Sequence, residues 1–175
     1  MRKLFRPFIF IMSIGLLTAS CSKESNVNQY LKSNSSKNVP IVDLKPKKDY
    51  EMLIIESSDC PYCHKLQHDI TTNKELIEAL KNVEVAPVLA DDTSKLYKIV
   101  INDHKLIGTG EDLAADLGVN AYPNIFFLNK EGKVILNVPG YVKPKTMVCV
   151  VNFITSKSYK KEDINSYIKA NNCLS

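Results

Sequence analysis

Two cysteines placed between a buried strand and an amphipathic helix restrict this chain more than any other feature. Residues 52–55 (Met-Leu-Ile-Ile) form a short uninterrupted apolar run, which fits a strand buried on both faces of a parallel or mixed sheet. Cys60-Pro61-Tyr62-Cys63 follows directly. After Cys60, residues Cys63, Leu66 and Ile70 recur at helical spacing, with Lys65, Gln67, His68 and Asp69 on the other side. The spacing predicts a strand that delivers both thiols to the head of a helix.

That position has chemical consequences. The first thiol at a helix N-terminus meets unpaired backbone N–H groups and the positive end of the macrodipole, so its thiolate, the attacking species, is favoured. Pro61 suits the first turn because it has no N–H in need of a partner. Cys60 is expected to be the exposed nucleophile and Cys63, one turn in, the residue that resolves a mixed disulfide. Three other readings use the same residues. Cys-x-x-Cys-His, completed by His64, is also the attachment pattern of c-type haem, although cytochromes c are mostly helical and need a distal ligand. With His64 or His68 the pair supplies three of the four ligands zinc takes, and no second cysteine pair completes the set. The pair can also be a purely structural disulfide. The redox reading calls for neither a metal nor a cofactor.

Along the rest of the chain, Thr72 and Glu75 predict a capping box opening a second helix in which Leu76, Ile77 and Leu80 share a face. Residues 83–89 read as a strand. Residues 92–108 hold Leu96, Tyr97, Ile99, Val100 and Ile101 without a dominant period and are treated as an insertion. A short helix at 111–117 stops at Gly118. The runs 125–128 and 133–138, joined by Asn129-Lys130-Glu131-Gly132, predict an antiparallel hairpin. Pro144 starts a helix to about residue 154, and 161–170 is the last helix. Strands alternating with helices and ending in a hairpin predict an α/β sandwich with a mixed central sheet.

The N-terminal segment reads as an export signal. Residues 8–17 are apolar but too short to span a bilayer, which takes about 20 residues. Arg2, Lys3 and Arg6 precede them and small residues follow, the layout of a signal peptide over residues 1–21. Leu17-Thr18-Ala19-Ser20-Cys21 resembles the lipobox of bacterial lipoproteins, which implies lipidation of Cys21 and anchoring to a membrane facing the periplasm or cell exterior. Plain secretion is the alternative. Residues 22–38, rich in serine and asparagine with almost nothing apolar, read as a flexible tether, and 39–175 as the folded domain. Without the first 21 residues, 20 basic side chains face 19 acidic ones, which gives no electrostatic case for nucleic-acid binding.

One further motif supports redox chemistry. Val119-Asn120-Ala121-Tyr122-Pro123-Asn124 immediately precedes the 125–128 strand, and a proline there implies a bend or a cis peptide. With the Cys-Pro-Tyr-Cys centre, the Gly118-Val119 approach, the Glu131-Gly132-Lys133 turn and Gly140-Tyr141, roughly residues 48–156 resemble the thioredoxin superfamily. Within it they are most similar to exported thioredoxin-like proteins related to SoxW. The resemblance implies a thioredoxin fold with an insertion before a cis-proline and an extra C-terminal helix. It implies attack by Cys60, resolution by Cys63 and a substrate groove shaped by Tyr122 and Pro123; Pro61 and Tyr62 are expected to tune the pair and substrate access, and His64 either to favour the thiolate by hydrogen bonding or charge or merely to face solvent. It further implies an extracytoplasmic thiol-disulfide oxidoreductase, a reductase of protein disulfides supplied by a membrane electron donor of the DsbD or CcdA kind. An oxidase or isomerase, and a non-catalytic binding or chaperone module, are the alternatives.

The chain departs from the family in one respect. Thioredoxins carry a buried aspartate six positions before the first cysteine, where this chain has Ile54. Glu56 is the nearest acid, readable as a proton relay for Cys63 or as a solvated strand-end carboxylate. Cys149 fits a buried inert thiol, and in an oxidising compartment it can instead join Cys173 and pin the C-terminal helix.

Overall fold

The structure, a computed structural model, describes residues 39–174. The expected signal peptide with Cys21, and the expected tether, lie outside the described residues. Strands β1 (Ile41–Asp43) and β2 (Tyr50–Glu56) come first, then helices α1 (Pro61–Thr72) and α2 (Lys74–Ala79). Three strands follow: β3 (Val83–Leu89), β4 (Leu96–Ile101) and β5 (His104–Gly108). After α3 (Gly110–Asp116) come β6 (Asn124–Asn129), β7 (Val134–Pro139), α4 (Pro144–Thr155) and α5 (Ile164–Ala170).

The central sheet has the order β3-β2-β6-β7, with β2 parallel to β3 and antiparallel to β6, so it is mixed as expected. Every residue of β2 is buried, which accounts for its unbroken apolar run. Because successive side chains leave a strand on opposite faces, β2 and β6 feed two cores. Met52, Ile54, Ile125 and Phe127 pack with Leu66 of α1, Leu76 of α2 and Met147, Val151 and Ile154 of α4. Leu53, Ile55, Phe126 and Leu128 pack with Leu113 of α3 and with Tyr97, Ile99 and Ile101 of β4.

That second partner comes from the insertion. Residues 92–108 contain an antiparallel hairpin, β4 with β5, which joins β1 in a separate three-stranded sheet laid over the second core. Asn102 and Asp103 turn the hairpin at φ 47° and 67°, the left-handed conformation that two-residue hairpin loops require. The period is hidden because Leu96 and Tyr97 are adjacent and both buried. Asn102 also ties this sheet to the β6–β7 turn, since its N–H donates to the Gly132 carbonyl (3.0 Å). A Cβ on Gly132 would lie 2.2 Å from the Val100 carbonyl oxygen, so only glycine fits that approach.

The expected capping box does not form, because the helix starts one residue later and Leu76, at its third position, cannot bond back to the cap. Asn73, not Thr72, caps α2, its Oδ1 accepting from the Leu76 N–H at 3.0 Å. The Thr72 hydroxyl is committed backwards, donating to the His68 carbonyl at 2.7 Å. Leu76 and Leu80 are buried, but Ile77 is 42% exposed. A helix this short turns about 100° per residue and has one narrow inward face.

Cys149 of α4 and Cys173 form a disulfide, and Cys173 is fully buried. The Thr146 hydroxyl donates to the Cys173 carbonyl (2.8 Å), so the bond fastens the segment after α5 to α4. At the start of β2, Glu51 is 1% exposed, and its Oε1 has no hydrogen-bond partner among the described residues. Burial, with the charge of Glu84 beside it, pushes its carboxyl up to about 8. Among the described residues no helix is long and apolar enough to cross a membrane.

Candidate active site

Cys60 is the N-cap of α1 and Pro61 its first residue, which removes one of the unpaired donors of the first turn. Cys60 is joined to Cys63 by a disulfide, with Cα atoms 5.2 Å apart. The Cys63 N–H donates to Cys60 Sγ at 3.1 Å. No acidic residue stands in the first turn of α1, although Asp59 directly precedes the cap. Cys60 is partly exposed whereas Cys63 is 1% exposed, so one sulfur faces solvent and the other the interior. Tyr62 is 61% exposed, and His64 is exposed as well.

Glu56 ends β2 just before this turn and is 7% exposed, which rules out a solvated strand-end carboxylate. Gln67 Nε2 donates to Glu56 Oε2 at 2.9 Å. Burial pushes the Glu56 carboxyl above its usual range, while the Gln67 bond and the charge of His64 pull it back.

The Tyr122–Pro123 peptide is cis. Pro123 is buried, Tyr122 is 37% exposed, and Asn124 pairs with Ile55 near the C-terminal end of β2. Pro123 therefore belongs to the same end of the sheet as the Cys60 turn. Its carbonyl accepts from the Gly140 N–H at 2.8 Å, and the neighbouring Tyr141 ring stacks on Tyr62 with centroids 5.9 Å apart. A cavity of about 280 Å³, lined by Ser57, Ala90, Asp91, Glu111 and Tyr122, adjoins the other flank. Ser58 donates through both N–H and hydroxyl to the Asp91 carboxylate, which lowers its proton affinity below the usual carboxylate range.

Residues 38–155 match the thioredoxin-like domain family. The chain belongs to that family. This thioredoxin-like chain is similar to a solved thioredoxin-fold protein from Helicobacter pylori, with 26% identity and a TM-score of 0.66 over 76% of this chain and 90% of that one. Mitochondrial thioredoxin 3 of Saccharomyces cerevisiae shares 18% identity, with a TM-score of 0.41 over 74% of this chain and 99% of its own. The exposed lipoprotein thioredoxin of Streptococcus pneumoniae shares 16%, with a TM-score of 0.40 over 61% and 85%. No curated protein matches. A thioredoxin-like domain with its Cys-x-x-Cys pair at the head of the first long helix is a thiol-disulfide oxidoreductase, whose substrates are protein thiols and disulfides.

Among the described residues no three His, Cys, Asp or Glu side chains converge to hold a metal. Sequence reasoning placed Gln67 and Asp69 on the polar side of α1, yet both are half-buried and bonded to site residues, Gln67 to Glu56 and Asp69 to Tyr141. Asp91 was not singled out either. Gln67 was the most detectable, since it lies four residues, about one turn, beyond Cys63.

Proposed function

We propose that this thioredoxin-like enzyme reduces protein disulfides outside the cytoplasm, anchored through lipid on Cys21. The observation that carries the chemistry is the asymmetry of the Cys60–Cys63 pair at a helix N-terminus. In the reduced enzyme, the Cys60 thiolate attacks one sulfur of a substrate disulfide; a mixed disulfide forms and the other substrate sulfur leaves as thiolate. Cys63 loses its proton and attacks Cys60 Sγ. The substrate departs with both sulfurs reduced, and the enzyme retains the Cys60–Cys63 disulfide. Two electrons pass to the substrate, and a dithiol donor must return them.

The Cys63 N–H that bonds Cys60 Sγ stabilises the Cys60 thiolate, together with the end of α1. Glu56 is the candidate acceptor for the Cys63 proton, because burial raises its proton affinity toward working pH. Pro61, Tyr62 and His64 tune the pair. Tyr122 offers its backbone to the substrate strand, without competition from an N–H on Pro123.

The extracytoplasmic placement draws support from the second, buried disulfide, Cys149–Cys173, because structural disulfides persist where the compartment is oxidising. In such a compartment a reductase depends on a donor that carries electrons across the membrane, the DsbD or CcdA kind. The test of direction is the reduction potential of the Cys60/Cys63 couple. A value near that of thioredoxin, about −270 mV, supports a reductase, and one near about −120 mV contradicts it in favour of an oxidant.

A further inference from the structure

We infer that Tyr141 is a positioning residue which holds Tyr62 as a fixed aromatic wall beside Cys60, and that this wall selects disulfides with an aromatic or other apolar residue next to the attacked cysteine. The inference rests on the oxidoreductase reading and names a substrate class for that site. Tyr62 sits in the first turn of α1, two residues after Cys60, and exposes 61% of its surface. A ring so exposed next to a nucleophile has no packing reason to hold one orientation. It is nevertheless stacked on Tyr141, with planes 22° apart and centroids at 5.9 Å, a geometry worth about 0.5–1.5 kcal/mol in aromatic pairs.

Tyr141 is itself secured from three directions. Its hydroxyl donates to Asp69 Oδ2 at 2.7 Å. Burial and that carboxylate push the phenol up to about 12, so the donor proton stays in place at any working pH. Lys65 Nζ lies 4.9 Å from the ring centroid, within cation–π range. The N–H of the preceding Gly140 donates to the Pro123 carbonyl. The stack therefore runs from the turn that carries Cys60 to the loop bonded to Pro123, and it closes one flank of the cleft between them. The opposite flank, with Asp91 and Glu111, is acidic and polar. An apolar substrate side chain meets two stacked rings on the Tyr62–Tyr141 side, whereas on the other flank Tyr122 stands beside two acids.

The test uses two peptides, each cyclised by one disulfide and identical except for Phe or Ser beside one cysteine. The second-order rate constant of the reduced full chain is measured with each. The parent is expected to favour the Phe peptide about three- to tenfold, the size of one aromatic contact. Tyr62→Ala and Tyr141→Ala are each expected to bring the ratio within twofold of one, and the double variant to lower it no further. Tyr141→Phe and Asp69→Ala keep both rings and lose the hydroxyl anchor, so their ratios should fall between the parent and Tyr141→Ala. Equal parent rates on the two peptides, or a Tyr141→Ala variant that keeps the parent's preference, overturns the inference and leaves the oxidoreductase reading intact. Should Tyr141→Ala not fold, an unchanged ratio in both Tyr141→Phe and Asp69→Ala overturns it. A parent that reacts with neither peptide overturns both.

Discussion

Gln67 of α1 donates a hydrogen bond of 2.9 Å to the carboxyl of Glu56, which ends the strand leading into the redox turn. The bond crosses from helix to strand, and it fixes a buried acid whose affinity for protons is raised by desolvation. Thioredoxins carry a buried aspartate six positions before the first cysteine; this chain has Ile54 there, and Glu56 is the acid proposed above for that role.

If Glu56 takes the proton of Cys63, then Glu56→Gln slows the resolving step. The expected loss is about tenfold near pH 7, at the modest end of general-base effects. It should shrink as pH rises through the thiol range, where Cys63 ionises unaided. Disulfide-reduction rates measured from pH 5 to 10 for both proteins check this, and superimposable profiles would remove Glu56 from the mechanism.

Glu51 carries a stability prediction with a definite sign. Below about pH 4.5, its ordinary value, the group is protonated in the folded and unfolded chains alike and has no effect. Between there and about 8 the folded chain holds a proton that the unfolded chain releases, so stability falls as pH rises through this window. Above 8 the loss is complete, on the order of a few kcal/mol. Glu51→Gln is expected to raise Tm by about 5–10 °C at pH 8.5 and to leave it nearly unchanged at pH 4. Thermal unfolding at both pH values checks it, and an equal shift at both would contradict the ionisation account.

The Cys149–Cys173 bond closes a 24-residue separation, and removing it should destabilise the fold by about 2–4 kcal/mol. Neither sulfur takes part in exchange at the site, so the Cys149→Ser/Cys173→Ser double variant is expected to keep the parent's rate with a small disulfide. It should also be cleaved faster by protease near α5. Denaturant unfolding and limited proteolysis test this; unaltered stability would mean that packing of Cys173, not its covalent bond, holds the terminus.

Much of this architecture could be read before any coordinates. The buried run at 52–55, the Pro61 and Pro144 helix starts and the 129–132 turn are local signals that no tertiary contact reverses. The hairpin at residues 96–108 was hidden because its turn, Asn102-Asp103, lacks a glycine and because Leu96 and Tyr97 break the alternation. The cap at Asn73 was misplaced to Thr72 because a threonine hydroxyl can equally well bond back into its own helix. Cys60 and Cys63 stood out by their spacing, and Pro123 by its place before a strand together with the family resemblance. Gln67 and Asp69 did not, and Tyr141 entered only through the resemblance, because their roles depend on which strand or loop packs against α1, and one-dimensional periodicity carries no record of that.

The account stands or falls on whether Cys60 alone makes the covalent link to a substrate. The direct measurement is the intact mass of Cys63→Ser after incubation with a disulfide-bonded protein substrate. The expected product is one enzyme chain joined to one substrate chain through Cys60, released by dithiothreitol and not formed by Cys60→Ser. No adduct, or an adduct that persists in Cys60→Ser, would contradict it.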